Sequence, residues 1–430
     1  MSVFFLNIRM VRNDVCLRPR LTESVKRNAL FCVSLHHISD AKVGIYFKMC
    51  KKNHFFFRFY ALFHDFSIYL HRKVAIKSIN MNHLVIMAGG IGSRFWPMST
   101  PECPKQFLDI MGSGRTMIQQ TFERFSGLVD IGHVWVVTSK NFKDLVSEQL
   151  HGINPQHILL EPCMRNTAPC VAYVSWKIQA EDPDANIFVA ASDHLVTNET
   201  EFKACVKKGI DFISEGNRIL TLGMQPTRPE TGYGYIEQGA LTEGTKDNHG
   251  IYKLAAFREK PDLATAEKYL ATGNYTWNSG MFIWNVRTIV GELRKYQPEI
   301  SAIMDRLAPA FFTPQEQVLV DELYATCPKI SIDYAVMEKT QLAFVMPAEF
   351  GWSDLGTWGS MHTLLPQDEH ANSVVGDQVK VIESEGCMIR MPQGKQVVIQ
   401  GLKDCIVTEH NGVLLICKLS EEQRIKEWHN

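Results

Sequence analysis

A chain of 430 residues with 45% hydrophobic content can bury enough core for one large α/β domain plus something smaller. Its formal net charge of -1 gives no reason to expect a nucleic-acid or membrane-surface partner, yet residues 1–80 carry 14 Lys and Arg against 4 Asp and Glu, and the remainder 31 against 42. Eleven scattered cysteines with no Cys-x-x-Cys pair argue against a disulfide framework and for a reducing, cytoplasmic compartment.

Residues 1–80 show neither a sustained helical period nor clean strand alternation. No run approaches the roughly 18 to 20 uninterrupted apolar residues of a membrane span. The most apolar early patch, 55–69, is broken by Arg58, His64 and Asp65 and lacks the order of a secretory signal. The segment reads as a basic or targeting arm, or as sequence upstream of a start at Met81. We expect it to lie outside the fold, because the αβ pattern begins abruptly at that methionine.

From His83 onward, short apolar runs alternate with amphipathic stretches. Strands are expected at 83–87, 133–138, 158–160 and 187–191, with helices near 117–125, 142–150 and 168–180. The alternation predicts an α/β fold: a Rossmann-like, doubly wound, mixed but mainly parallel sheet with helices on both faces. Ligands of such sheets gather at the carboxyl ends of the strands.

The first strand runs into L-V-I-M-A-G-G-I-G-S-R-F-W-P, residues 84–97. Glycines at 89, 90 and 92 let backbone N–H groups approach phosphate oxygens closely. No Gly-Lys-Ser/Thr follows, so this is not a Walker loop, and Phe95 stands where a dinucleotide fingerprint has its third glycine. Arg94 comes next, and P-K-Q-F follows at 104–107. The composite resembles the signature of nucleotide-sugar pyrophosphorylases, and R-F-W-P-M-S is similar to their mannose-1-phosphate guanylyltransferase branch, over essentially 81–430. The resemblance implies the nucleotide-diphospho-sugar transferase fold. It also implies that Ala88, Gly89, Gly90, Gly92 and Ser93 wrap the nucleotide, while Arg94 and Lys105 neutralise the triphosphate and the departing pyrophosphate.

E-P-C-M-R-N-T-A-P, 161–169, leaves the third strand and enters a helix, with Asn166 or Thr167 placed as N-cap. Its similarity to the same branch implies base recognition there. Asn166 can offer a donor and an acceptor to a purine edge, and Arg165 donors to a guanine oxygen or a phosphate. V-A-A-S-D-H, 189–194, ends a strand in Asp193, placed to hold Mg²⁺, a hard cation that favours carboxylate and phosphate oxygens. His194 reads as structural, imidazole being a poor match for that ion.

Sugar recognition falls to T-G-Y-G-Y-I-E at 231–237, F-R-E-K-P at 257–261 and W-N-S-G-M-F at 277–282. Glu237, Glu259 and Asn278 suit hexose hydroxyls beside the Gly232 backbone, and Lys260 suits the sugar phosphate. Trp277, Met281 and Trp284 read as core. W-S-D-L-G-T-W, 352–358, supplies Asp354, which the family pattern places with Asp193 at Mg²⁺.

Beyond 367 the texture becomes β-rich, at 380–382, 386–391, 396–399, 404–408 and 413–418, with a short helix near 421–428. Three stretches result: 1–80, a catalytic domain at 81–366, and a small β-rich domain of hairpins or coils at 367–430. Longer guanylyltransferases carry an isomerase domain after the β-rich segment, so no phosphomannose isomerase activity is expected. The implied partners are GTP and mannose 1-phosphate, with room for a homodimer. The competing readings are another base or sugar 1-phosphate, and a silent binder of nucleotide sugars. Retention of Arg94, Lys105 and both aspartates weighs against the silent binder.

Overall fold

Two units divide the chain, Met1–Val74 and Ala75–Asn430. The computed structural model describes residues 6–11, 14–19, 33–36, 44–47, 82–242 and 250–428. In the first unit β1 (Leu6–Val11) pairs antiparallel with β2 (Asp14–Pro19), and β3 (Val33–His36) with β4 (Gly44–Phe47). The expected lack of strand alternation in residues 1–80 does not hold at β1, where Leu6, Ile8 and Met10 alternate with Asn7 and Arg9. The apolar patch at 55–69 lies outside the described residues.

The strands of the second unit begin with β5 (Asn82–Ala88), β6 (Val134–Ser139), β7 (Ile158–Glu161), β8 (Asn186–Ala191) and the short β9 (Leu195–Val196). They continue with β10 (Ile219–Met224), β11 (Tyr235–Leu241), β12 (Tyr252–Arg258), β13 (Tyr275–Asn285) and β14 (Ala343–Ala348). Nine of them form one sheet in the order β10-β14-β12-β11-β13-β8-β5-β6-β7. Strands β8, β5, β6 and β7 are parallel, so the loops after them share one edge. The far half, from β13 to β14, is largely antiparallel. The mixed sheet is thus parallel where the glycine loop and Asp193 sit, and antiparallel where the sugar motifs sit.

Period-two alternation assigns the faces. Leu84, Ile86, Val134 and Val136 join one buried cluster, and Val85, Trp135 and Val137 the other. Helices α1 (Met117–Arg124), α2 (Lys143–Gln149), α3 (Thr167–Glu181), α4 (Glu199–Ile213), α5 (Leu263–Thr272), α6 (Val286–Tyr296), α7 (Pro298–Leu307) and α8 (Glu316–Leu323) complete these layers. Side chains of α1, α2, α4 and α5 fill the first cluster, and those of α3, α6, α7 and α8 the second. Helix α3 is buried almost all round from Ala168 to Ile178, being covered by the sheet on one side and by α6 and α7 on the other. As expected, Trp277, Met281 and Trp284 are core residues.

Strand β13 joins the two halves. It pairs with β11 at 275–277, with β8 at 282–285 and with β10 along most of its length. Between the two ends Gly280 takes the left-handed conformation, φ +69°. Ser279 Oγ donates to the Leu222 carbonyl at 2.6 Å and accepts from the Met281 amide at 3.2 Å.

After β15 (Trp352–Ser353) and α9 (Trp358–Leu364) come β16 (Ser373–Val375), β17 (Val379–Ile382), β18 (Met388–Arg390), β19 (Val397–Gln400), β20 (Cys405–His410) and β21 (Val413–Lys418). Strand β16 pairs parallel with β18 and β18 with β20, while β17 pairs parallel with β19. Each coil therefore stacks on the one before, and antiparallel β21 closes the stack. A 3-10 turn, Leu419–Glu427, ends the described chain. Met388, Ile406, Leu415 and Ile425 share a buried cluster with Phe95, Met98, Leu355 and Trp358, so the β-coil is packed against the glycine-loop region. Among the described residues no helix is long and apolar enough to cross a membrane.

Candidate active site

Strand β5 delivers the glycine loop to the carboxyl edge. Gln106, buried beneath it, donates from Nε2 to the carbonyls of Ala88 and Gly90 at 3.2 and 2.8 Å, which fixes the loop from below. Gly92 has φ +64°, and a Cβ there would lie 2.5 Å from the Lys105 Cβ, so the loop can lie down on the P-K-Q-F turn only with glycine at that position. Ser93 opens a 3-10 turn that continues through Arg94. Gly90 has open space above it.

Lys105 is 3% exposed, and its ammonium group makes three contacts. It donates to the carbonyls of Asp354 and Leu355 at 2.8 and 2.9 Å and pairs with Asp193 Oδ2 at 2.9 Å. One buried cation thereby gathers both predicted metal-site segments. Burial works to raise the Asp193 carboxyl, but Lys105, His194 and a backbone hydrogen bond together hold it below the usual carboxylate range. The sequence-based expectation put Lys105 on the phosphates, whereas here its ammonium lies under the loop with three partners.

Asp354 Oδ1 accepts from the Tyr233 hydroxyl at 2.7 Å and from the Gly356 amide at 2.9 Å. Burial, then the neighbouring Asp354 charge, pushes the Tyr233 phenol far above its ordinary value, so it remains a donor. His194 Nδ1 accepts from Trp352 Nε1 at 3.2 Å, and burial lowers its basicity, which agrees with a structural role. Buried Arg124 donates to the His194 carbonyl at 3.2 Å and braces the same turn.

Strand β7 brings Glu161 to this edge. A Cβ on Gly89 would stand 3.5 Å from Glu161 Oε2, and Oε1 accepts from the Tyr324 hydroxyl. Burial outweighs that hydrogen bond and pushes the Glu161 carboxyl up to about 7. Asn166 is the N-cap of α3, with φ +67°, and its side chain accepts from the Thr167 amide at 2.9 Å. Thr167 Oγ1 accepts from the Ile332 amide at 2.9 Å, and Arg165 donates to the Ala325 carbonyl. The 161–169 turn is therefore anchored to 324–332.

The sugar motifs divide. A Cβ on Gly234 would lie 2.6 Å from Glu259 Oε2 and 3.4 Å from the Asn278 Cβ, so these two residues converge beneath a glycine. Asn278 Nδ2 donates to Asp333 Oδ1 at 3.1 Å, and burial followed by the Glu259 charge pushes Asp333 up to about 6. Lys260 pairs with Glu259 and is exposed, and Gly232 donates to Glu230 at 3.0 Å. Glu237 lies farther along β11, opposite Tyr275, and its neighbours Asn274 and Tyr275 are not members of that cluster. Sequence reasoning missed Glu161, Tyr233 and Asp333 as site residues. The first two stand inside motifs already singled out, whereas nothing around Asp333 marks it.

The sequence profile of the nucleotidyl transferase family matches residues 83–371. The mannose-1-phosphate guanylyltransferase of Klebsiella pneumoniae is 38% identical over 347 residues, covering 80% of this chain and 72% of that protein. A xanthan biosynthesis protein, XanB of Xanthomonas campestris pv. campestris (strain B100), is 36% identical over 347 residues, covering 80% and 71%. The crystal structure described as a mannose-1-phosphate geranyltransferase from Thermus thermophilus superposes with a TM-score of 0.71 at 29% identity, covering 81% of this chain and 98% of that one.

Proposed function

Since this chain belongs to the nucleotidyl transferase family, among the mannose-1-phosphate guanylyltransferases, we propose that it transfers GMP from GTP to mannose 1-phosphate. A phosphate oxygen of mannose 1-phosphate attacks the α-phosphorus of GTP in line. The bond from that phosphorus to the bridging oxygen breaks, and pyrophosphate leaves with GDP-mannose formed. The observation that carries this reading is the Lys105 hub. It draws the glycine-loop turn, Asp193 and the Asp354 segment to one edge, and Tyr233 extends it to the sugar loop.

Positioning and charge neutralisation are the main demands of phosphoryl-type transfer. The glycine loop presents backbone donors to the phosphates, and Arg94 projects from its far end. Glu161 offers a guanine ring acceptors for its two adjacent N–H groups, which adenine lacks, and Asn166 retains its amide N–H₂ outside the capping bond. Glu259, Asn278 and Lys260 receive the sugar phosphate. We assign catalysis to 81–366, with 367–430 as a packed β-rich partner and 1–80 outside the fold.

Mg²⁺ fits the donor set. Asp193 meets Lys105 through Oδ2, Asp354 keeps Oδ2 outside the bonds described, and among the described residues no group of three or more His, Cys, Asp and Glu is placed to hold a metal. Such a pair suits a hard ion that keeps waters and takes phosphate oxygens. When bound it would supply charge neutralisation between two anionic substrates. Eight free cysteines among the described residues fit a reducing, cytoplasmic setting. The test is pyrophosphate release with Mg²⁺, each NTP and each sugar 1-phosphate. Release with GTP and mannose 1-phosphate above all other pairs is expected, and equal release with ATP or with glucose 1-phosphate would sink the assignment.

A further inference from the structure

The glycine loop is open on its outer side, and Arg94 stands exposed on the 3-10 turn that follows. An exposed arginine samples many rotamers, so its value to a triphosphate depends on what holds it. Here Arg94 Nε donates to Gln423 Oε1 at 2.8 Å, across 329 positions of sequence. The bond uses Nε and leaves the two terminal nitrogens outside it, on the edge of the guanidinium that pairs with phosphate oxygens.

The neighbouring Glu422 accepts from the Gly359 amide at 2.7 Å, in the first turn of α9, which begins just after Asp354. Ile425, fully buried, roots the same 3-10 turn among Phe95, Trp358, Met361, Ile406 and Leu415. One short turn thus has a buried apolar root and two polar tips, one on Arg94 just after the glycine loop and one on the first turn of α9, just after Asp354.

We propose that Gln423 is a positioning residue for nucleotidyl transfer, orienting Arg94 toward the triphosphate while Glu422 holds the first turn of α9, just after Asp354. The inference rests on the proposed role of Arg94 at the phosphates. It gives the β-coil a part in the chemistry rather than only in stability.

The test compares wild type with Q423A, Q423E, R94A and the double variant R94A/Q423A. Gln423 is exposed, so Q423A should unfold at the wild-type temperature. Its kcat/KM for GTP should fall about tenfold, the scale of one charge-assisted hydrogen bond. The KM for mannose 1-phosphate should stay within about twofold, since only the triphosphate contact is changed. Q423E, which still accepts from Nε, should restore most of the activity. In the R94A background Q423A should add nothing further. Unchanged GTP kinetics in Q423A, or losses that simply add, would overturn the proposal.

Stabilisation by inorganic tripolyphosphate in thermal unfolding, run on the same variants, does not depend on which base or sugar is used. A chain that ignored GTP and mannose 1-phosphate would refute the assigned reaction. A tripolyphosphate response lost in R94A and unaffected by Q423A would refute the positioning role by itself.

Discussion

Asp193 and Asp354 look equivalent in sequence, and the structure makes them different. Asp193 neutralises a buried ammonium through its side chain, whereas Asp354 meets the same ammonium through its backbone carbonyl. Asp193→Asn leaves Lys105 buried without an anion and should cost about 2 kcal/mol of stability, while Asp354→Asn should be nearly neutral. Both should lose most turnover, and urea unfolding beside activity assays reads the two effects apart. Equal stabilities would refute the asymmetry. Glu161 permits a prediction with pH. Its carboxyl is lifted to about 7 by burial, and in its proposed role it can take both adjacent N–H groups of a guanine only when ionised. kcat/KM for GTP should therefore rise as pH rises through about 7, and Glu161→Gln should flatten that step and narrow the preference for GTP over ATP. A persistent step in the variant would assign it to another group.

At the scale of elements, what could be read in advance follows from whether the signal is local. Strands β5, β6, β7 and β8 and helices α1, α2 and α3 stand within a residue or two of their expected bounds, because apolar alternation and helical period are carried by the segment itself. The three-residue β16 is not legible in the sequence. Nor is the antiparallel far half, whose pairing depends on segments that meet only in the fold. Glu161 opens a recognisable motif, yet its burial and its bond come from Tyr324, far along the chain. Asn166 shows the same limit: the cap was expected from its chemistry, but its positive φ was not. That conformation changes how its role must be tested. Asn166→Ala would combine a lost cap with backbone strain, about 1 kcal/mol or more, so Asn166→Gly is the cleaner variant. It should remain within a few tenths of a kcal/mol of wild type in thermal unfolding while weakening GTP use. GTP kinetics equal to wild type in Asn166→Gly would move base recognition to its neighbours.

Across the whole molecule, the edge opposite the site carries a different cluster. His83 Nδ1 accepts from Trp135 Nε1 at 3.0 Å, its ring stacks on His133 with centroids 4.4 Å apart, and His157 stacks on Trp135 at 3.6 Å. Asp182 faces His83, while Glu181 and Lys177 face His157. Burial, assisted by His133 and opposed by Asp182, lowers His83 to about 4. An unfolded chain binds that proton near pH 6.5 and the folded one does not, so the contribution is present above about 6.5 and is lost as pH falls toward 4. It amounts to about 3 kcal/mol at most. Urea unfolding at pH 7.5 and pH 5 should show that loss, and His83→Asn should show less of it. Parallel pH profiles would contradict the account. Between that edge and the catalytic one runs β13, which is bonded to β8 on the nucleotide side and to β11 on the sugar side. If the two substrate cradles approach one another during turnover, the twist must be absorbed at 279–281, where Ser279 is latched to Leu222 and Gly280 is already left-handed. These three residues then act as a torsion spring set in the middle of a strand. Exchange of the Gly280 and Met281 amides with solvent deuterium, compared with and without both substrates, would report that closure, however far from the phosphates the label sits.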